Sequence, residues 1–165
     1  MAVALVALDA RIVVRGDRRE RTIPISAFYR LPGDTPEIES ELKPGELITA
    51  VDVPTPPAQS RSHYLKVRDR NSFAFALVSV AAVVDIGDNR RIRDARIALG
   101  GVAHKPWRIP AAEEALRGRE AAEPAFREAA EILMKGSKPY RYNGFKVELA
   151  RRCTVRALLA ASERG

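Results

Sequence analysis

The sequence is poor in the residues that most metal and redox chemistry needs. It has one cysteine, Cys153, and two histidines, His63 and His104, in 165 residues. A lone thiol forms no internal disulfide, and a zinc or iron–sulfur site needs about four ligands, so any metal chemistry has to come from another chain. Long apolar runs are missing too. The longest, Phe73 to Val84, is interrupted by Ser79 and stops at Asp85, short of the roughly 20 residues that span a bilayer, so no membrane partner is expected. Met1 to Leu8 is apolar but has no basic stretch ahead of it and no small-residue cleavage pattern. It does not read as a secretion signal, and the cytoplasm is the expected compartment. A phosphate loop with its lysine and a dinucleotide fingerprint are both absent; Gly100 and Gly101 lack the spacing and read as a turn. Aromatic residues make up only 6% of the chain, with no nucleic-acid motif beside Tyr140, Arg141 and Tyr142, so nucleic acid is not an expected partner either.

What is present suits one ordinary domain or two small ones, because a hydrophobic fraction of 46% can bury a conventional core. The net charge of +7 is concentrated: Lys135, Lys138, Arg141, Lys146, Arg151, Arg152 and Arg156 face the single acid Glu148. Such a patch attracts nucleic acid, an acidic protein surface or an anionic cofactor, or simply keeps a protein soluble. The simpler reading places Lys146 and Arg152 on a solvated helix face and leaves Arg151 and Arg156 undecided.

Periodicity predicts the elements. Ala2 to Leu8 is helix-compatible but uncapped, as if cut from a larger fold. Ala10–Val14 and Arg21–Ile25 read as a hairpin, Phe28 to Gly45 as a punctuated loop, and Leu47–Val53 as a strand. Pro54 to Ser60 is the most linker-like stretch, and the expected boundary separates residues 1–57 from 58–165. His63–Arg70 reads as a basic extended segment. Ala76–Val84, apolar almost throughout, reads as a central strand buried on both faces, with a half-buried partner carrying Ala95, Ile97 and Leu99. Val102–Arg108 continues extended until Pro110 opens a helix as a first-turn proline. Helices follow over Ala111–Leu116, Pro124–Met134 and Gly144–Ser162, the last with Phe145, Leu149, Cys153 and Ala157 on one face. Strands then helices, without alternation, predict an α+β fold.

Few residues suggest chemistry. Neither histidine has an orienting partner that the sequence places, and Cys153, on an apolar helix face, reads as an inert core residue. The stretch from His63 to Ala76 stands out, because in a strand Lys66, Arg68 and Arg70 share a face at intervals of roughly 7 Å, a strip that wants an anion. An edge strand guarded by charge gives the same pattern.

Several ordered segments carry a resemblance: Met1–Arg15 with its V-A-L-D-A run, L-K-P-G-E-L-I-T-A-V-D-V-P from Leu42 to Pro54, Y-L-K-V-R-D-R-N-S-F-A-F-A-L-V-S-V-A-A-V-V from Tyr64 to Val84, and I-A-L-G-G-V-A-H-K-P-W-R-I-P from Ile97 to Pro110. Together they resemble the FAD-binding (medium) subunit of the xanthine dehydrogenase and carbon monoxide dehydrogenase family of molybdenum hydroxylases, over nearly the whole chain. The resemblance implies the end of the FAD-binding domain's second lobe, followed by the flavoprotein C-terminal domain, a small antiparallel sheet packed on a C-terminal helical bundle. It implies FAD between the two, passing electrons from iron–sulfur clusters to an acceptor.

It further implies partner subunits holding the molybdenum cofactor and the iron–sulfur clusters. Carried over by position, Ile48 falls where the family sets an apolar side chain against the flavin, and Lys66 where it sets a lysine near the ring. A lysine there favours the anionic reduced flavin by Coulomb attraction. Arg70, Asn71, Ser72 and Phe73 match a loop that runs by the flavin, although some members carry acids where this chain has Ser72 and Phe73. The glycine-rich loops that grip the FAD pyrophosphate have no counterpart here, so the expected site is incomplete. The isolated chain is expected to be inactive unless an amino-terminal FAD-binding half is supplied. A non-catalytic interaction module, docking its basic C-terminal region on an acidic partner, is the alternative.

Overall fold

The structure, a computed structural model, describes residues 1–17 and 19–163. Among them the chain forms two three-stranded antiparallel sheets followed by helices, the expected α+β order. A short helix α1 (Ala2–Ala7) leads into β1 (Arg11–Arg15), which pairs with β2 (Glu20–Pro24); residue 18, in the expected hairpin turn, lies outside the described residues. One helical turn, α2 (Ile25–Phe28), follows, and β3 (Leu47–Asp52) closes the first sheet in the order β2-β1-β3. The β1–β3 ladder carries a bulge between Val13 and Val14, which leaves Thr49 without a partner residue and sets Ile48 opposite Val14.

The second sheet has the order β4-β5-β6, formed by β4 (Ser60–Val67), β5 (Val78–Ile86) and β6 (Ile92–Gly100). The apolar run expected to make a central strand is β5, and its residues from Val78 to Asp85 are all buried. Alternation divides them between two cores. Val78, Val80, Ala82 and Val84 join Ala95, Ile97 and Leu99 of β6 against the helices α3 (Pro110–Glu114), α4 (Glu123–Met134) and α5 (Phe145–Glu163). Ala81, Val83 and Ala98 point the other way, into a core made with Val6, Ala7, Ile12 and Val14. The amino-terminal region thus covers the second face of the carboxy-terminal sheet, and β6 is more buried than the half-buried partner its alternation predicts.

Gly100 is not a break but the last residue of β6, where a Cβ would come within 2.6 Å of Val3 Cγ2 and 2.7 Å of Ser79 Oγ; its bare Cα lets α1 lie directly on the sheet. Val102–Arg108 does not continue extended. It bends through residues 101–105 and touches the sheet only where Trp107 exchanges backbone hydrogen bonds with Leu99, at 2.8 and 2.9 Å. Pro110 does open α3, which ends at Glu114 rather than Leu116.

On α5 the buried stripe runs through Ala150, Cys153, Thr154, Ala157, Leu158 and Ala161, whereas Phe145, expected on that face, sits exposed in the first turn where α5 runs past the core. Arg152 is solvated and paired with Glu148 at 2.7 Å, and Arg151 reaches Glu131 at 3.0 Å. Lys146 differs from its solvated reading: it is partly buried, and its Nζ donates to the Gly101 carbonyl at 2.9 Å. No helix among the described residues is long and apolar enough to cross a membrane.

Candidate functional site

The β4–β5 hairpin positions the residues singled out from the sequence. Leu65 and Val67 pack toward the helical core, so Tyr64 and Lys66 alternate onto the opposite face. In the ladder Lys66 pairs with Ser79 and Tyr64 with Ala81, the face that the amino-terminal core covers further along. Lys66 therefore emerges, exposed, on the side of the sheet where the amino-terminal region packs. The three-cation strip does not form. The strand stops at Val67, whose carbonyl accepts from Leu77 N at 2.9 Å and closes a long loop over residues 68–76. Arg68 and Arg70 fold back inside that loop, donating to the Ser72 carbonyl at 3.3 Å and the Phe73 carbonyl at 3.0 Å. They brace the loop instead of extending a charged ladder, because the β5 partners end at Val78.

Arg70, Asn71, Ser72 and Phe73 lie together in this loop, exposed, and Phe73 and Phe75 are 100% and 99% exposed. Gly101 holds the loop's return. With φ at +78°, it carries no Cβ, and a Cβ would sit 2.8 Å from the Leu77 carbonyl oxygen and 2.9 Å from that of Ala76. The sequence read the Gly100–Gly101 pair as a turn and missed that it admits α1 on one side and the loop on the other. Ile48 stands apart on the other sheet, in β3, where every residue is exposed. The loop joins Arg70–Phe73 to Lys66, whereas Ile48 shares with Lys66 a place on an edge strand.

A second cluster joins the two regions and has no signature in the sequence. Arg108 donates Nε and Nη2 to the two oxygens of Glu113, at 2.7 and 3.0 Å, and Nη1 to the Val6 carbonyl at 2.8 Å and to the Asp9 carboxylate. Burial works against the Arg108 charge, but the bonds to Glu113 and Asp9 outweigh it and its pKa is raised. Glu113, itself buried, also accepts Ile97 N at 2.8 Å. Asp9, in the left-handed region at φ +53°, pairs with Arg96 as well, which continues to Asp94 and Arg117. The last residues of α1 are tied in this way to β6 and α3. Cys153 is buried, and burial pushes its thiol pKa up, as an inert core residue requires.

Elementary fit to a flavin can be judged from these residues. An exposed lysine on the inter-region face, an exposed aromatic and polar loop beside it, and the uncovered β3 suit the ring end of such a cofactor. A glycine-rich cradle for its phosphates is lacking in the sequence. The β4-β5-β6 sheet is covered on one face by helices and on the other by the amino-terminal region, with Lys66 exposed on that second side.

Comparison with known families agrees. Residues 63–161 match the model of the CO dehydrogenase flavoprotein C-terminal domain, and residues 1–56 that of the FAD binding domain in molybdopterin dehydrogenase; the chain belongs to this family of FAD-binding medium subunits. It is 45% identical over 161 residues to the aldehyde oxidoreductase FAD-binding subunit PaoB of Escherichia coli (strain K12), covering 97% of this chain and 46% of the relative. It is 35% identical over 162 residues to the nicotine 6-hydroxylase medium subunit of Paenarthrobacter nicotinovorans, covering 93% and 54%. The chain thus spans about half the length of these curated relatives.

Among solved structures, a carbon monoxide dehydrogenase from Hydrogenophaga pseudoflava superposes with a TM-score of 0.85 at 26% identity, over 97% of this chain and 55% of the other. Reconstituted CO dehydrogenase from Oligotropha carboxidovorans gives 0.88 at 23% identity, over 100% and 57%, a likeness of fold alone.

Proposed function

We propose that the chain forms the ring-facing part of the FAD site in a molybdenum hydroxylase, an oxidoreductase in which it helps position a flavin that passes electrons from iron–sulfur clusters to an acceptor. Bound FAD supplies the electron-transfer chemistry that side chains lack. The observation that carries the reading is the register of β4 on β5, which turns Lys66 toward the amino-terminal region. Lys66 offers a positive charge to an electron-rich ring edge, worth more as water is excluded. Ile48 offers an apolar contact from β3. Arg70, Asn71, Ser72 and Phe73 form a wall whose shape Arg68 and Arg70 fix through their bonds to loop carbonyls.

The working unit divides near residues 57 and 58, acts in the cytoplasm, and assembles with subunits carrying the molybdenum cofactor and the iron–sulfur clusters. By itself the chain is inactive, since residues to hold the pyrophosphate are wanting from its sequence.

The test is an FAD titration of the chain alone and of the chain mixed with the amino-terminal half of the Escherichia coli relative, read by flavin absorbance and fluorescence quenching. The reading expects little binding alone, binding by the mixture, and a loss of about tenfold in affinity on Lys66→Ala. Absence of binding in both settings goes against it and favours a non-catalytic interaction module.

A further inference from the structure

The loops at the other end of α4 form a groove that the flavin reading does not use. It is a cavity of about 550 Å³, lined by Leu31, by residues 101–104 with Trp107, by Met134, and by the connection between α4 and α5 with Val147. Its floor is apolar and fixed: Trp107 donates its indole N–H to the Leu133 carbonyl at 2.9 Å. Its polar lining is cationic or neutral, with His104, Lys138 and Lys146 on the walls. Between Asp94 and Glu113, and again between Glu131 and Glu148, there is no acidic residue, so the two walls built from these segments carry no negative charge, and the third side contributes only the apolar Leu31 to the lining, its acids Asp34 and Glu37 lying further along the loop.

Beside the groove Tyr140 and Tyr142 are 77% and 80% exposed, with the Arg141 guanidinium 5.1 Å from the Tyr142 ring centroid. The exposed rings stand on a braced loop. Ser137 bonds the Met134 carbonyl through both N–H and Oγ, at 3.1 and 2.6 Å; Tyr140 N donates to Asn143 Oδ1 at 2.6 Å, and Asn143 N returns to the Tyr140 carbonyl at 3.3 Å. The bond from Lys146, in the first turn of α5, to the Gly101 carbonyl ties the helix that follows this loop to the opposite wall.

We propose that this groove docks an acidic polypeptide segment bearing an apolar anchor, contributed by a partner chain. Charge complementarity selects the sign of the partner, and the apolar floor selects a segment with a Leu- or Phe-like side chain over a uniformly polar one. Exposed tyrosines and arginine are the residue types that anchor protein interfaces, and bracing lowers the ordering cost of using them. The proposal goes beyond the flavin reading: none of Ile48, Lys66 or the loop over residues 68–76 lines the groove.

The test uses the full chain and a fluorescein-labelled peptide, Glu-Glu-Phe-Glu-Glu-Leu-Glu, followed by anisotropy. Binding should saturate, weaken with salt, and fall about tenfold in each of Lys138→Glu and Tyr140→Ala, both exposed positions where the fold tolerates change. Lys66→Ala should leave it unchanged, which separates this site from the flavin-facing one. A twelve-nucleotide oligo-dT serves as the competing ligand class. No peptide binding, binding indifferent to the Lys138 and Tyr140 changes, or tighter binding of oligo-dT with the same sensitivity to them would each overturn the proposal.

Discussion

The two sheets have the same design, three antiparallel strands each, and opposite fates. In β4-β5-β6 the central strand is buried on both faces, by helices on one side and by α1 and its neighbours on the other. In β2-β1-β3 the central strand β1 is buried over Ile12–Val14, yet β3 is exposed from end to end despite carrying Leu47, Ile48 and Val51. A sheet edge rich in apolar side chains and covered by nothing is costly to leave in water. The contrast separates a closed core from an exposed apolar surface, and the loop over residues 68–76, with its bare Phe73 and Phe75, is exposed in the same way.

The contrast is quantitative. Phe126, fully buried in α4, should cost about 3–5 kcal/mol on replacement by alanine, whereas Ile48→Ala should cost under about 1 kcal/mol, both read from urea midpoints. Equal losses would erase the distinction between the regions. The tie across them comes next. Arg108→Ala leaves the buried Glu113 without its cation, and should destabilise by about 3 kcal/mol while amides of α1 lose exchange protection before those of β5. Gly101→Ala should cost roughly 1–2 kcal/mol for the left-handed backbone and, by pressing on the Ala76 and Leu77 carbonyls, speed exchange of the Leu77 amide.

The smallest effect is electrostatic and confined to the first sheet. Arg21 bonds Glu46 at 2.9 and 2.7 Å, and with the Lys43 N–H pulls the Glu46 carboxyl down to about 2 from 4.5. A carboxylate with a depressed folded pKa contributes stability that is complete above about pH 4.5 and lost as pH falls toward 2. Glu46→Gln should flatten the acid limb of a pH–stability curve over that window, so that the two proteins differ most above about pH 4.5 and converge toward pH 2, the difference staying small because water and salt screen the pair.

Much of the carboxy-terminal fold was legible because burial on both faces writes an apolar run, as in Val78–Val84, and proline and glycine punctuate the helices around it. The site was legible only in part. Lys66 keeps strand alternation, but the strip extrapolated through Arg68 and Arg70 fails because hairpin closure depends on the partner strand, which local spacing does not encode. The Arg108–Glu113–Asp9 cluster joins residues about a hundred positions apart, and only the packing of α1 over Gly100 brings them together. Likewise nothing in L-I-T-A-V-D distinguishes a strand that is covered from one that is not.

On the proposed function, β3 and the loop after β4 face a bound flavin. Hydrogen exchange on the chain, alone and then with FAD and the amino-terminal half of the Escherichia coli relative, tests it directly. Slower exchange at residues 47–52 and 68–77, with α4 unchanged, is the expected result. Protection confined to α4 and α5, or none at all when FAD is bound, would contradict it.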